Sequence, residues 1–293
     1  KLEIRLGLEP APGSEPWKVI ETAAGDAELA ALLPAADVLI YEAATATGNS
    51  IIAANYRLNS KITWEGKLWS HAVSAGQRYL ALTVFNQISS ETEAFTDIDR
   101  LKEARYEGEF QINVVDLTEF KLLFQHTVPT RIIRAASDVA QRAWMTTWQT
   151  AVELNSIGFS ETGNILYYLE TPADVSVDPR YTLVMVNLAS PAEIQTRQVE
   201  MPYTTRWSWV HLSKLGIMEG LSVSASAFSE RNNLLALALV DGAITILDMN
   251  DGSVLKRLDD FKETSSLAFS ADGRLLASAH GKYGLAVWGV LSE

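Results

Sequence analysis

The chain contains no cysteine among its 293 residues. A cysteine-free chain has no disulfide framework, no thiolate metal site and no cysteine nucleophile. The absence does not indicate a compartment, because both reducing and oxidising locations tolerate such a chain. The chain begins with Lys1, and no charged and then apolar leader follows it. We therefore expect no signal segment in this chain and leave its location open.

Positive charge is also scarce. Lys and Arg number 24 against 36 Asp and Glu, which gives a formal net charge of −12. An acidic surface repels phosphate, so we expect no nucleic-acid partner and instead a protein with a neutral or basic surface. No apolar run approaches about 18 residues, so no membrane span is predicted. With 47% hydrophobic residues, the composition is typical of a globular chain.

Recognised catalytic and cofactor motifs are missing as well. The sequence has no Gly-x-Ser-x-Gly, no P-loop and no dinucleotide-binding fingerprint, so we expect no cofactor. We also expect no metal, because none of the four histidines has a partner at metal-ligand spacing: His71, His126, His211 and His280.

The C-terminal third of the chain contains an internal repeat. Its two copies begin near Leu221 and Lys262, and they align without a gap when Ala227 is placed on Ala268. Two triplets then coincide: Ala-Phe-Ser at 227–229 and 268–270, and Leu-Leu-Ala at 234–236 and 275–277. A fixed period of about 40 residues, with short strands and Gly-containing turns such as Asp272-Gly273, predicts the blades of a β-propeller.

The segment AFSADGRLLASAHGKYGLAVWG, residues 268–289, resembles a WD40 repeat, whose third strand ends in Trp-Asp. This sequence splits the pair, because Trp288 precedes Gly289 while Asp248 of the earlier unit follows Leu247. In the family, a His before the first strand and a Ser or Thr on the second complete a polar network. Ser278 fits this pattern, but neither unit has the His. The resemblance covers residues 221–290 and implies a propeller of four-stranded antiparallel blades.

Weaker copies of the same strand and turn pattern lie upstream, in residues 37–65, 68–125 and 155–201. Five units are visible, and the blade count stays open between five and seven. We therefore expect a single all-β domain over residues 1–293, a WD40-like propeller with insertions near 86–108 and 127–150.

Three stretches do not fit a minimal blade. Residues 97–104 have the acidic start of a short helix, with Asp97 as its cap. Residues 127–150 carry apolar side chains at helical spacing, and residues 26–33 are an Ala/Leu segment that ends at Pro34. Such insertions either carry specificity or only cover blade edges.

The N-terminus predicts how the ring would close. Residues Leu2 to Leu8 alternate apolar and polar side chains, as a half-buried strand does. We expect this strand to pair as the fourth strand of the last blade, because that pairing removes an open sheet edge.

Five residues form the predicted contact surface for a partner. Asp241, Lys282 and Tyr283 lie in predicted turns between second and third strands. Trp207 and Trp209 are two residues apart, so on a strand they share one face and could anchor a protein. Packing between blades is the alternative role for the two tryptophans.

Two functions stay open at this stage. The favoured one is a non-catalytic protein–protein interaction scaffold or a subunit of a larger assembly. The alternative is an extracytoplasmic propeller that binds or hydrolyses carbohydrate. Hydrolysis needs two carboxylates, and the first strands predicted to line the central channel contain only one acid, Glu153. This scarcity favours the scaffold.

Overall fold

Strands account for nearly all of the regular structure. The computed structural model describes residues 2–7, 17–23, 27–45, 48–94, 101–137, 156–170, 180–200, 223–239, 243–259, 264–281 and 284–289. The helical elements in these ranges are two single-turn 3-10 helices, Pro34–Ala36 and Ala75–Gln77. No helix in the described part of the chain is long and apolar enough to cross a membrane. The expectation of an all-β fold is confirmed.

The strands form one N-terminal hairpin and five antiparallel sheets, numbered 1 to 5 along the chain. The hairpin contains β1 (Leu2–Gly7) and β2 (Trp17–Ala23). Sheet 1 contains β3 (Ala27–Leu33), β4 (Val38–Thr45), β5 (Gly48–Asn55) and β6 (Ser60–Glu65). Sheet 2 contains β7 (Lys67–Val73), β8 (Tyr79–Ala94), β9 (Leu101–Asp116) and β10 (Lys121–Ser137).

The other three sheets follow the same order, with each strand paired to the next one along the chain. Sheet 3 contains β11 (Gly158–Phe159), β12 (Ile165–Glu170), β13 (Arg180–Asn187) and β14 (Ile194–Glu200). Sheet 4 contains β15 (Val223–Ser229), β16 (Leu234–Leu239), β17 (Ile244–Asp248) and β18 (Val254–Leu258). Sheet 5 contains three strands, β19 (Thr264–Phe269), β20 (Leu275–His280) and β21 (Gly284–Gly289).

The sequence repeat has a direct structural counterpart in the last two sheets. The alignment that places Ala227 on Ala268 also carries β16 onto β20 from its first residue to its last. The predicted turn at Asp272-Gly273 joins β19 to β20, with Gly273 at a φ of +71°. The Gly273 N–H donates to the Ser270 carbonyl at 2.8 Å. The repeat therefore relates the first three strands of sheet 4 to the three strands of sheet 5.

Consecutive sheets pack face to face through apolar side chains. Val38 and Ile40 of sheet 1 meet Leu80 and Leu82 of sheet 2. The same kind of contact joins the other neighbours: Ile112 and Tyr168 between sheets 2 and 3, Leu183 and Leu237 between sheets 3 and 4, and Ala236 and Leu276 between sheets 4 and 5. Each sheet therefore stacks on the one that follows it in sequence.

The second strand of sheets 1 to 4 is buried on both faces. Leu80, Ala81 and Leu82 of β8 have no exposed surface, and neither has the run from Leu235 to Ala238 in β16. A strand covered on both sides reads as a continuous apolar run instead of an alternating one. This burial explains why the sequence around these strands is Leu- and Ala-rich.

The predictions of helix in residues 97–104 and 127–150 are wrong wherever the structure describes these residues, and the Ala/Leu segment is a strand as well. Residues 27–33 form β3, residues 101–104 belong to β9, and residues 127–137 belong to β10. The rest of these stretches, including Asp97 and residues 138–150, lies outside the described residues. β10 pairs with β9 from Lys121 to Ser137. Pairing between these two strands therefore prevails over the helical spacing of the apolar residues in β10.

The prediction that the N-terminal strand pairs as the fourth strand of the last blade is also wrong. β1 pairs with β2 in register from Leu2 with Ala23 to Gly7 with Trp17. β21 pairs with β20, and in the described part of the chain no fourth strand joins sheet 5. Alternation shows that a strand has two different faces but does not identify its partner. A partner only a short connection away costs less chain entropy than one at the far end of the chain.

A repeated hydrogen bond links the two turns within each of the first four sheets. The first residue after the third strand donates its N–H to the last residue of the turn between the first two strands. The pairs are Tyr56 to Asp37 at 3.0 Å, Leu117 to Arg78 at 2.8 Å, Leu188 to Asn164 at 2.9 Å and Met249 to Asn233 at 2.8 Å. An Asn or Asp precedes each of these donors and accepts from the backbone of its own turn: Asn55, Asp116, Asn187 and Asp248. Sequence analysis identified only Asp248 of this set.

The turn between β17 and β18 of sheet 4 packs closely on β14, the fourth strand of sheet 3. Gly252 has a φ of +78°, and a Cβ there would lie 2.3 Å from the Gln198 carbonyl oxygen. Gly76 has a similar φ of +72°, but a Cβ there would meet nothing within 4 Å.

We expect Gly76→Ala to cost about 1–2 kcal/mol, because of the left-handed backbone alone. Gly252→Ala should cost a further 1–3 kcal/mol or so, because the added methyl group displaces β14. Urea denaturation of both variants measures the difference. Equal costs would show that the turn of sheet 4 does not rest on β14.

Candidate functional site

All five predicted contact residues lie outside the described residues: Trp207, Trp209, Asp241, Lys282 and Tyr283. Glu153, the one acid of the predicted channel strands, lies outside them too. These assignments therefore stay predictions. Within the described ranges, no three His, Cys, Asp or Glu side chains are grouped so that they could hold a metal ion.

Reciprocal carboxylate contacts join the turns of sheets 3 and 4. Glu161 of sheet 3 accepts from the Ser229 hydroxyl at 3.0 Å and from the Glu230 N–H at 2.6 Å. Glu230 of sheet 4 in turn accepts from the hydroxyls of Ser160 and Thr162. Both acids follow a serine, so the repeated Ser-Glu pair was the sequence signal for this contact. Since donors already occupy these carboxylates, their arrangement is that of a structural link.

The corresponding turns of sheets 4 and 5, and those of sheets 2 and 3, also lie close together. The Asn232 side chain donates to the Gly273 carbonyl at 2.6 Å and so links sheet 4 to sheet 5. A Cβ on Gly163 of sheet 3 would lie 3.3 Å from the Cβ of Ser74 in sheet 2. We call residues 74–78, 160–164, 229–233 and 270–274 the turn end. The opposite end of sheets 2 to 5 is called the loop end.

The loop end holds the described residues nearest to three of the predicted contact residues. β16 finishes there at Leu239 and β17 begins there at Ile244, on either side of Asp241. β20 and β21 meet the same end on either side of Lys282 and Tyr283. The long strands β8, β9 and β10 also extend in this direction, beyond the seven residues of β7.

A buried polar chain holds the three strands of sheet 5 together. The Trp288 indole N–H donates to the Ser278 hydroxyl at 3.1 Å, and that hydroxyl lies 2.7 Å from His280 Nε2. His280 Nδ1 lies 3.2 Å from the Thr264 hydroxyl. The Ser and Trp therefore occupy the roles implied by the WD40 resemblance, while the His comes from the second strand itself. In the sequence, His280 was considered only as a metal ligand, and its spacing gave no sign of this network.

The other face of sheet 5 is apolar and exposed. Leu285 is 72% exposed, Val287 57% and Leu275 46%. Strand register places Val287 beside Ala277 and Ala268, and Leu285 beside Ala279. This set of side chains is called the outer face of sheet 5. Contiguous exposed apolar side chains typically mark a binding surface.

A second cluster of polar groups lies between sheets 2 and 3. His126 Nε2 on β10 is 3.8 Å from a carboxylate oxygen of Glu170 at the end of β12. The His126 ring lies between Phe124 and Tyr168, at centroid distances of 6.3 and 6.4 Å. The Tyr168 hydroxyl is buried, and no partner for it is found among the residues that the structure describes.

Burial shifts the titration of all three groups toward their neutral forms. It lowers the pKa of His126 and raises the pKa of Glu170. Burial and the nearby Glu170 charge raise the pKa of Tyr168. A cluster of perturbed groups can indicate a functional site. Here the three groups form part of the packing between two sheets. Among the described residues, no third His, Cys, Asp or Glu joins His126 and Glu170 to make a metal site.

Comparison with known proteins gives structural likeness without a family. No protein-family model matches the chain, and no curated protein matches it. Among similar solved structures is hydrazine synthase of Kuenenia stuttgartiensis, with a TM-score of 0.46 and 10% identity, over 89% of this chain and 70% of that one.

For two further similar structures, the alignment with this chain covers nearly the whole of the other protein. The computationally designed Ika4 protein has a TM-score of 0.40 and 16% identity, over 78% of this chain and 94% of that one. The Cps50 (Swd1) β-propeller domain of Myceliophteria thermophila has a TM-score of 0.38 and 13% identity, over 87% of this chain and 94% of that one. A propeller domain is thus among the similar folds, and likeness at this level does not extend to function.

The polar chain of sheet 5 predicts a large effect of one hydroxyl. Ser278→Ala should lower the free energy of unfolding by about 1–3 kcal/mol, because buried His280 and half-buried Trp288 each lose a hydrogen bond. Ser265→Ala is the control, since its exposed hydroxyl donates to the Ala279 carbonyl of the same sheet. It should change stability by about 0.5 kcal/mol or less. Equal effects in urea denaturation would contradict the role of the chain.

Adjacent tyrosines test the unpartnered hydroxyl. The Tyr167 hydroxyl lies 3.2 Å from that of Ser226, so Tyr167→Phe should cost about 1 kcal/mol of unfolding free energy. Tyr168→Phe should cost nothing or raise stability, because it removes a buried hydroxyl that has no partner. A loss for Tyr168→Phe similar to that for Tyr167→Phe would show that this hydroxyl is bonded in solution.

Proposed function

We propose that this chain is a WD40-like β-propeller that acts as a non-catalytic protein–protein interaction scaffold or as a subunit of a larger assembly. Two features of the described structure indicate that the stacked sheets form a rigid platform for binding. Apolar stacking fixes each sheet against the next, and hydrogen-bonded turns join sheets 3, 4 and 5 at the turn end. A support held in this way can present its opposite end with little loss of conformational entropy on binding.

The observation that carries the proposal is the length of the strands in sheet 2. β8, β9 and β10 contain 16, 16 and 17 residues, whereas the strands of sheet 4 contain five to seven. Pairing continues past Phe85, where β7 starts, as far as Ala94 with Lys102. The three strands thus extend sheet 2 by about eight residues, or roughly 25 Å, at the loop end. We call this extension the ribbon.

The ribbon lies at the same end of the sheets as the strand ends that flank Asp241, Lys282 and Tyr283 in the sequence. In this proposal, a partner protein binds the loop end through the ribbon and through Trp207, Trp209, Asp241, Lys282 and Tyr283. The net charge of −12 favours a partner with a neutral or basic surface and faster association at low salt.

Shortening the ribbon tests the proposal. Gln87 pairs with Gly108, so residues 88–107 can be replaced by Asn-Gly, a two-residue hairpin turn. We expect this variant to fold and to lose at least about tenfold in partner affinity, or 1.4 kcal/mol. Arg231→Ala at the turn end is the matched control and should bind as the unchanged chain does.

Affinity purification of the tagged chain from its own cells, followed by titration of each retained protein, gives the measurement. A protein that binds the unchanged chain and the Arg231→Ala variant but not the shortened variant supports the proposal. Equal retention by all three chains, or retention of no protein at all, would overturn it.

A further inference from the structure

The ribbon has one long strand edge that no other strand covers in the described structure. β7 pairs with β8 only as far as Lys67 with Phe85, and the residues before β7 form β6 of sheet 1. β8 has a bulge after Gln87 and then pairs regularly with β9 along residues 89–94. On the side away from β9, these six residues have no neighbouring strand among those that the structure describes. We call residues 89–94 the ribbon edge.

The alternation of antiparallel pairing shows which backbone groups of this edge point outward. The Leu117 N–H donates across to Arg78 at 2.8 Å, so the residue before it, Asp116, directs its own polar backbone groups away from β8. Every second residue of β9 from Asp116 does the same, and Ala104 is among them. The residue opposite Ala104 is Thr92, whose N–H and C=O therefore point to the open side of β8.

The two edges of the ribbon differ in how they are protected against further pairing. The edge on β10 carries Pro129, which has no N–H to donate, and Arg131. Natural edge strands use proline and positive charge in this way. The ribbon edge contains no Pro, Lys or Arg, and its charged residues are Glu91 and Glu93. Acidic residues alone oppose a neighbouring acidic strand but attract a basic one.

The strand register adds an unbalanced negative charge at this edge. Glu93 lies directly opposite Glu103 on β9, and the next position across, on β10, is Ala135. Like charges directly opposite each other destabilise a sheet. A Lys or Arg on a strand added beside β8 would lie next to Glu93 and offset this repulsion. Glu91 is two residues away on the same face of β8, so it would take a second cation at alternate spacing.

We propose that the ribbon edge binds an extended segment of a partner protein by β-strand addition, and that this segment carries Lys or Arg at alternate positions. Outward backbone groups such as those of Thr92 supply the hydrogen bonds, and pairs with Glu91 and Glu93 select a basic segment. This inference rests on the proposed protein-binding function, and it specifies the part of the ribbon that binds and the chemistry of the partner.

A second copy of the chain fits this edge less well. Antiparallel pairing of two ribbon edges about Thr92 places Glu91 of one copy opposite Glu93 of the other, which adds like-charge pairs. A basic segment of the required spacing is also missing from the chain itself. Arg100 and Lys102 are its only Lys or Arg residues two positions apart, and Lys102 already belongs to β9. These 293 residues thus contain no matching segment, and the proposal assigns the occupant to a partner protein.

The first experiment uses a synthetic peptide, Lys-Thr-Lys-Val-Lys-Thr-Lys, with blocked ends as the probe. The control peptide has the same sequence and charge but is N-methylated at its Thr and Val residues, so these cannot donate the hydrogen bonds of a paired strand. In fluorescence anisotropy titrations of the full chain, we expect the methylated peptide to bind at least about tenfold more weakly. Equal affinities, or no binding of either peptide, would overturn the inference.

Two substitutions of one residue test whether the peptide binds at the ribbon edge. Thr92→Pro removes an outward N–H and leaves the bonds between β8 and β9 in place, so it should weaken peptide binding at least about tenfold. Thr92→Val keeps the N–H and should bind as the unchanged chain does. The same affinity for both variants would show that the peptide does not pair with this edge.

Charge reversal gives a decisive result even where Thr92→Pro disturbs the ribbon. The chain with Glu91→Lys and Glu93→Lys should bind the basic peptide at least about tenfold more weakly, and should prefer a peptide in which Glu replaces each Lys. The matched control, Glu28→Lys with Glu193→Lys, changes the net charge equally at two exposed residues of sheets 1 and 3. It should keep its affinity for the basic peptide. An equal loss in both double variants would show that net charge alone holds the peptide, and would overturn the inference.

Partner retention in the affinity purification separates this inference from the proposed function. We expect the variant with Glu91→Lys and Glu93→Lys to lose the proteins that the chain with the shortened ribbon loses. If it retains all of them, the ribbon edge fails and the scaffold stands. If the shortened chain itself loses no protein, the proposed function fails and this inference fails with it. A dimer in size-exclusion chromatography that Thr92→Pro converts to a monomer would make a second copy the occupant and overturn the inference.

Discussion

The stacking of sheets through the two faces of their inner strands is the constraint on which the rest of the structure depends. Leu80, Ala81 and Leu82 are buried together although successive side chains of a strand point to opposite faces. One face of sheet 2 is covered by sheet 1 and the other by sheet 3. A single sheet would leave both of its faces in water, so each sheet depends on packing against a neighbour.

Polar contacts fix the alignment that apolar stacking leaves loose. Faces of Ala, Leu and Val can slide over one another at small cost, whereas the carboxylate of Glu161 must meet the Ser229 hydroxyl and the Glu230 N–H together. The turn end therefore fixes the register of neighbouring sheets.

Sheet 5 differs from sheets 2 to 4 because only one of its two faces is covered in the described structure. Its inner face packs on sheet 4 and contains the buried chain of Trp288, Ser278 and His280. Its outer face repeats the composition that sheet 4 buries, but nothing in the described structure covers Leu285. A repeat unit carries both halves of an interface, so a sheet with one neighbour in the described structure leaves one half exposed.

The sequence by itself determined the all-β class, the period of the C-terminal repeat and the strands of the last two sheets, because apolar runs and Gly turns are local patterns. The resemblance to a WD40 repeat also indicated Ser278 and Trp288. Only the tertiary structure decided that residues 127–137 pair with β9, that β1 pairs with β2, and that His280 joins the polar chain of sheet 5. Each of these depends on which other segment lies alongside, or on burial between sheets, and not on the spacing of residues within one segment. Local spacing carries no record of which strand lies alongside another, and that is the physical reason why these features needed the fold.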